Sequence, residues 1–175
     1  MITQNQTPNY AHLLPEDFND HSRVWIYQSN RLLTMNEALQ LESLLDTFIA
    51  DWKSHGKKVK GFGTLFFGQF IILIADETAS GVSGCSTDSS VRFIQQLEKT
   101  FNIQLLDRQL LAFWHNNKVQ TLPLSQVPYA LEHQFITPDT LYFNNLADTK
   151  IKLLREWMIP LKDSWLKRYL VKTSL

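Results

Sequence analysis

Six consecutive apolar residues, Phe70-Ile71-Ile72-Leu73-Ile74-Ala75, followed by Asp76-Glu77, constrain this chain more than any other feature. The run is rich in β-branched residues and too short for a buried helix, so it reads as a strand. Successive side chains of a strand point to opposite faces. A strand with no polar alternation is therefore covered on both faces. Any fold for this chain has to supply two apolar covers for residues 70–76.

The surrounding pattern offers candidates. Residues 1–20 are polar, contain Pro8 and Pro15, and read as an extended arm. Residues 23–28 read as a first strand, β-branched and aromatic. Thr34 and Glu37 have the spacing of a capping box, in which each side chain satisfies the other residue's backbone N–H. Ala38, Leu41, Leu45, Phe48, Ile49 and Trp52 then recur at helical spacing, with a stop predicted near Gly56. Residues 59–67 and 70–76 form two strands joined at Gly68-Gln69. A loop of small residues over 78–87 leads to a helix over 88–100, with Val91, Ile94, Leu97 and Phe101 inward. Residues 109–115 and 118–122 read as a hairpin around Asn116-Asn117, a type I′ candidate. The order β-α-β-β-α-β predicts an α+β fold of ferredoxin-like topology with two helices, occupying residues 21–123. Residues 124–175 read as a mainly helical α/β extension packed on that core. It holds helices over 125–134, 149–157 and 163–170, a strand over 141–144, and a break at Pro160. Two helices cover only one face of the sheet, so the other face is expected to be closed by the extension or by a second copy in a homodimer.

Composition narrows the function classes. The 175 residues suit one domain. Lys+Arg and Asp+Glu each number 17, which leaves no overall attraction to nucleic acid or anionic membrane. A single Cys allows no internal disulfide and points to a reducing compartment. The first 20 residues lack the basic and apolar regions of a signal peptide. The longest apolar run falls far short of the roughly 20 residues that span a bilayer. A cytoplasmic location with no membrane association is expected. His12, His21, His55, His115 and His133 show no metal-ligand spacing, so no metal site and no cofactor is expected.

Ile72 to Glu77 has the look of a strand delivering an Asp to Mg²⁺ in a nucleotide hydrolase. That chemistry needs a Gly-rich loop closing on Lys-Ser/Thr to cradle phosphates. Gly56-Lys57-Lys58-Val59-Lys60-Gly61 continues into Phe62-Gly63, and ATPase activity of that type is not expected. Three stretches carry a resemblance: Ser22-Arg23-Val24-Trp25-Ile26-Tyr27-Gln28-Ser29, Ser83-Gly84-Cys85-Ser86-Thr87-Asp88-Ser89-Ser90-Val91-Arg92 and Lys162-Asp163-Ser164-Trp165-Leu166. With these the chain resembles a family of uncharacterised bacterial proteins, some of which carry an ABC transporter ATPase label. The resemblance implies no catalytic residues.

Residues 81–90 are the most suggestive local stretch. Small residues let backbone approach a ligand, and a helix start offers free N–H groups and a positive dipole end. Ser83, Gly84, Cys85, Ser86, Thr87 and Asp88, with Asp76, are the candidate ligand-binding residues. A thiol beside a helix start can be a nucleophile, so Cys85 with His55 or His115 as base is a candidate catalytic set. The plain alternatives are a capping Ser86, Thr87 or Asp88, a buried Cys85 and surface histidines. Residues 148–172 carry seven basic against three acidic side chains, interleaved with Trp157, Trp165 and Tyr169. Nucleic-acid binding there is the weaker reading, since such helices commonly bury the rings and expose the lysines. The sequence thus leads to a binding or regulatory module for a small anionic ligand or a protein partner at residues 81–90. A small enzyme using Cys85 is the alternative.

Overall fold

The computed structural model describes residues 7–78 and 84–173, leaving out the side chains of 84–87 and 171–173. The apolar run forms β5 (Phe70–Asp76), buried along its whole length. It is the central strand of an antiparallel three-stranded sheet, flanked by β1 (Arg23–Gln28) and β4 (Lys60–Phe66). Ile72 lies between Ile26 and Thr64 in register.

The two faces of β5 have separate covers. Ile71, Leu73 and Ala75 pack with Tyr27 against α1 (Met35–Asp51) and α2 (Gly84–Phe101), through Leu41, Leu45, Ile94 and Leu97. Phe70, Ile72 and Ile74 meet Phe143, Leu153 and Trp157 from the C-terminal part, Ala112, and Tyr10, Leu14 and Phe18 from near the start of the chain. Of the two covers expected for this face, the C-terminal extension is present on it, joined by Ala112 and residues 10–18. Residues 10–18 supply two buried rings, Tyr10 and Phe18, and the buried Leu14 to that layer, so this part of the expected arm is core.

The structure is α+β with antiparallel sheets, but the strand expected to complete the first sheet lies elsewhere. β6 (Leu110–His115) pairs with β7 (Lys118–Pro123) and β8 (Leu141–Phe143) in a second sheet, which β9 (Met158–Pro160) completes in the order β7-β6-β8-β9. The reason lies in its sequence. Ala112 and Trp114 face the first sheet, while Leu111 and Phe113 face α3 (Val127–Glu132) and the 3-10 turns Leu161–Asp163 and Trp165–Thr173. A strand apolar on both faces is satisfied between two layers, and the second sheet gives it both. The approach to β6 is pinned: Asn30 and Gln104 exchange hydrogen bonds, and Glu98 Oε1 accepts from Leu105 N and Leu106 N. The layers run helix, sheet, sheet, helix.

Element boundaries shift for local reasons. The Thr34–Glu37 capping box forms as expected, and Arg31 grips Glu37 through Nη1 and Nη2, while Nη2 also donates to Phe101 O. α1 stops at Asp51, because Trp52 turns extended and drops its indole into the core. A two-residue turn at His55 and Gly56, both at positive φ, then joins β2 (Lys53–Ser54) to β3 (Lys57–Lys58). Gly61 of β4 lies under Trp52, where a Cβ would come within 2.7 Å of Cε3. The Asn116-Asn117 turn has both residues at positive φ, as a type I′ hairpin requires. α2 begins at Gly84, four residues before the expected start. α4 (Lys150–Glu156) is shorter than expected, and the last helix is 3-10.

Candidate binding cleft

With β6 placed in the second sheet, the outer edge of β1 has no strand partner among the described residues beyond its first positions. Val24 N donates to Asp148 O, and Lys150 N donates to Ser22 O, which closes the edge at that end around the Arg23–Thr149 bridge. In an antiparallel strand, alternate residues direct both backbone groups to the same side. Since Val24 N–H points away from β5, so do the backbone groups of Ile26 and Gln28. Among the described residues no partner meets Val24 C=O, either group of Ile26, or Gln28 N–H.

This open stretch of edge forms one side of a cavity of about 520 Å³. The cavity is of the size that holds small molecules or short peptide segments. Its other walls come from residues 105–111, which link α2 to the second sheet, and from residues 142–148 after β8, with Val91 of α2 and Trp165 completing it. The lining is mostly apolar. Leu106 and Leu146 stand on the rim, 43% and 69% exposed.

The polar groups are fixed at one end. Gln28 is buried; its Nε2 donates to Leu110 O at 3.0 Å, and its Oε1 accepts from Asn145 Nδ2 at 2.9 Å. Asn145 Oδ1 in turn accepts from Trp157 Nε1 at 3.0 Å. This chain of bonds ties β1 to the second sheet and sets the depth of the cleft. Tyr27, beside the cleft, has its phenol pushed up by burial, partly opposed by a hydrogen bond from Ser90 and the nearby Arg108 charge. Asp107 and Arg108 are exposed at the mouth, and Arg108 forms no ion pair among the described residues. Asp148 is engaged by Lys152 at 2.7 Å, and that hydrogen bond lowers its pKa.

Of the residues singled out in the sequence, Asp76, the His55 turn and the start of α2 belong to one end of the first sheet, and His115 lies apart from them. Ser83 lies outside the described residues, with Gly81 and Val82. Gly84 opens α2, and Cys85, Ser86 and Thr87 occupy its first turn, their side chains outside the description; Asp88 is exposed on the same helix. Asp76 is 3% exposed, and both its oxygens are taken. Oδ1 accepts from Thr78 N and Thr78 Oγ1; Oδ2 accepts from Asn19 N and faces Lys60 Nζ at 3.5 Å. Burial pushes this carboxyl up, but these contacts outweigh it and hold the pKa at about 2. Such a carboxylate joins three stretches of chain. His55 is exposed on the β2–β3 turn. His115 adjoins Trp114, whose ring lies 5.4 Å from Phe67 in the turn at the end of β5 remote from Asp76. His115 and Asp76 therefore belong to opposite ends of the molecule. Among the described residues no cluster of three His, Cys, Asp or Glu side chains could hold a metal, and no helix is long and apolar enough to cross a membrane.

The basic C-terminal residues are largely engaged. Lys150 is buried and donates to Phe18 O, Lys152 pairs with Asp148, Lys162 pairs with Asp139, and Arg168 stacks on Trp165 and Tyr169. Trp157 is fully buried.

The cleft residues escaped the sequence reading because no motif gathers them. Gln28 ends a strand that is apolar from Val24 to Tyr27, and Asp107-Arg108 interrupts an apolar stretch, which are the only local signals. No family model, curated protein or solved structure matches the chain.

Proposed function

We propose that this chain is a non-catalytic binding module whose ligand occupies the cleft along β1. The observation that carries the reading is the open edge itself: a 520 Å³ apolar hollow with backbone groups of Ile26 facing into it. An apolar site with a few fixed polar groups is the usual form of a ligand pocket. The polar network through Gln28, Asn145 and Trp157 gives a rigid floor, which reduces the ordering cost of binding. The unpaired Arg108 at the mouth favours a ligand with a negative group, in keeping with the anionic ligand or protein partner expected from the sequence. Among the described residues of α2, Val91 lines the cleft.

A fragment screen followed by two-dimensional amide NMR on the full chain tests this. Binders are expected to shift resonances from Val24 to Gln28, from 105 to 111 and from 145 to 148 together. Leu146→Glu, at an exposed rim position, is expected to weaken them without unfolding the chain. Shifts confined to other surfaces, or a Leu146→Glu chain that binds unchanged, would remove the reading.

A further inference from the structure

The geometry points to an extended peptide segment as the occupant of the cleft, added as a strand to the free edge of β1. The inference rests on the cleft being a binding site and names what that site takes.

Ile26 presents an outward N–H and an outward C=O from one residue, with Val24 C=O and Gln28 N–H on either side. This is the spacing that one antiparallel strand residue fills by exchanging both of its main-chain bonds. A hollow that asked only for apolar contact would have no use for such a row of groups. An edge with unpaired groups is a template for strand addition unless a proline, a charge, a bulge or a covering segment blocks it, and residues 105–111 and 142–148 stand off from this edge across the hollow. None of Val24, Trp25, Ile26, Tyr27 or Gln28 is charged or Pro, and the β1–β5 register runs without a bulge.

Two further features fit the same occupant. Residues Ser22 to Val24 already accept a strand-like partner in residues 148–150, so this edge pairs in strand fashion beside the open stretch. The exposed Leu106 and Leu146 stand on the rim, placed to take the alternate side chains that an extended peptide presents on one face. Gln28, tied to Leu110 and Asn145, limits the segment at the far end. The paired stretch is therefore short, centred on Ile26, and Arg108 favours an acidic side chain or a terminal carboxylate in the peptide.

The test uses a random heptapeptide library displayed on phage, panned against the full chain, with an enriched peptide then synthesised. Bound peptide is expected to slow hydrogen exchange of the Ile26 amide by about tenfold or more, since a paired amide exchanges only on opening. N-methylation of the backbone at alternate residues is expected to weaken binding by about tenfold for one set, a loss of one hydrogen bond, and to leave the other set within about twofold. Binding that ignores every N-methyl group, or that leaves Ile26 exchange unchanged, overturns strand addition. If no peptide is enriched while small fragments still shift the cleft resonances, the cleft remains a binding site and the peptide assignment falls. If neither binds, both readings fall.

Discussion

Asp76 accepts from Thr78 and Asn19 and faces Lys60, so exchanging its carboxylate for an amide sets an N–H₂ group against a donor in a buried place. Asp76→Asn is expected to cost about 1–3 kcal/mol, the range for stranding a buried polar group. The pH dependence has a definite sign. The folded pKa, about 2, lies below the ordinary 3.8. The charge therefore stabilises the fold fully above that ordinary value and ceases to do so as pH falls through 2. Urea unfolding should show the gap between wild type and Asp76→Asn constant from pH 7 to 5 and narrowing towards pH 2. A gap that stays constant to pH 2 would mean that the carboxylate is not responsible. The sequence shows this residue as an acid closing an apolar strand. It does not show the burial, because Asn19 and Lys60 lie far from it along the chain. The Thr34–Glu37 box, by contrast, is legible because all its partners are within four residues.

Among the elements, local period carried β1, β5 and the two long helices, and what it missed was partnership. β6 has the composition of an interior strand, and the sequence does not say in which sheet. The decision came from residues 102–109, held by Asn30 and Glu98, and from α3 and the final 3-10 turns waiting on the far side. The end of α1 was missed because Gly56 looked like a helix stop, while its positive φ serves a β-turn. Gly61 is a separate constraint at this scale. Its missing side chain lets β4 pass beneath Trp52, and a Cβ there would meet Cε3 at 2.7 Å and Ile49 Cδ1 at 3.3 Å. Gly61→Ala is expected to cost about 1–3 kcal/mol through overpacking, since Trp52 is wedged between Phe48 and Trp25. Tryptophan fluorescence followed through a urea titration checks it. An unchanged midpoint would mean that the indole moves aside freely.

For the molecule as a whole, Trp157 is the piece on which separate parts converge. It lies 5.0 Å from Tyr10, 5.2 Å from Phe70 and 5.2 Å from Phe143, and its indole N–H holds Asn145. Trp157→Ala is expected to cost about 3–5 kcal/mol, the range for deleting a fully buried large ring. The chemical-denaturation midpoint reads it, and cleft binding should weaken in the same variant because Asn145 loses its anchor. A loss under 1 kcal/mol would show that the layers close without this ring.

The contact between Tyr10 and the far end of the chain has a consequence for synthesis. Tyr10 Oη donates to Leu153 O at 2.6 Å, across 143 positions of sequence. A nascent polypeptide leaving the ribosome therefore carries the underside of its first sheet incompletely covered until residues 153–157 have emerged. Phe70, Ile72 and Ile74 wait for Leu153 and Trp157, about 80 residues further along the chain. For that interval the growing chain is a substrate for holding chaperones and a target for proteases, and a slow codon between positions 75 and 153 would prolong its vulnerability.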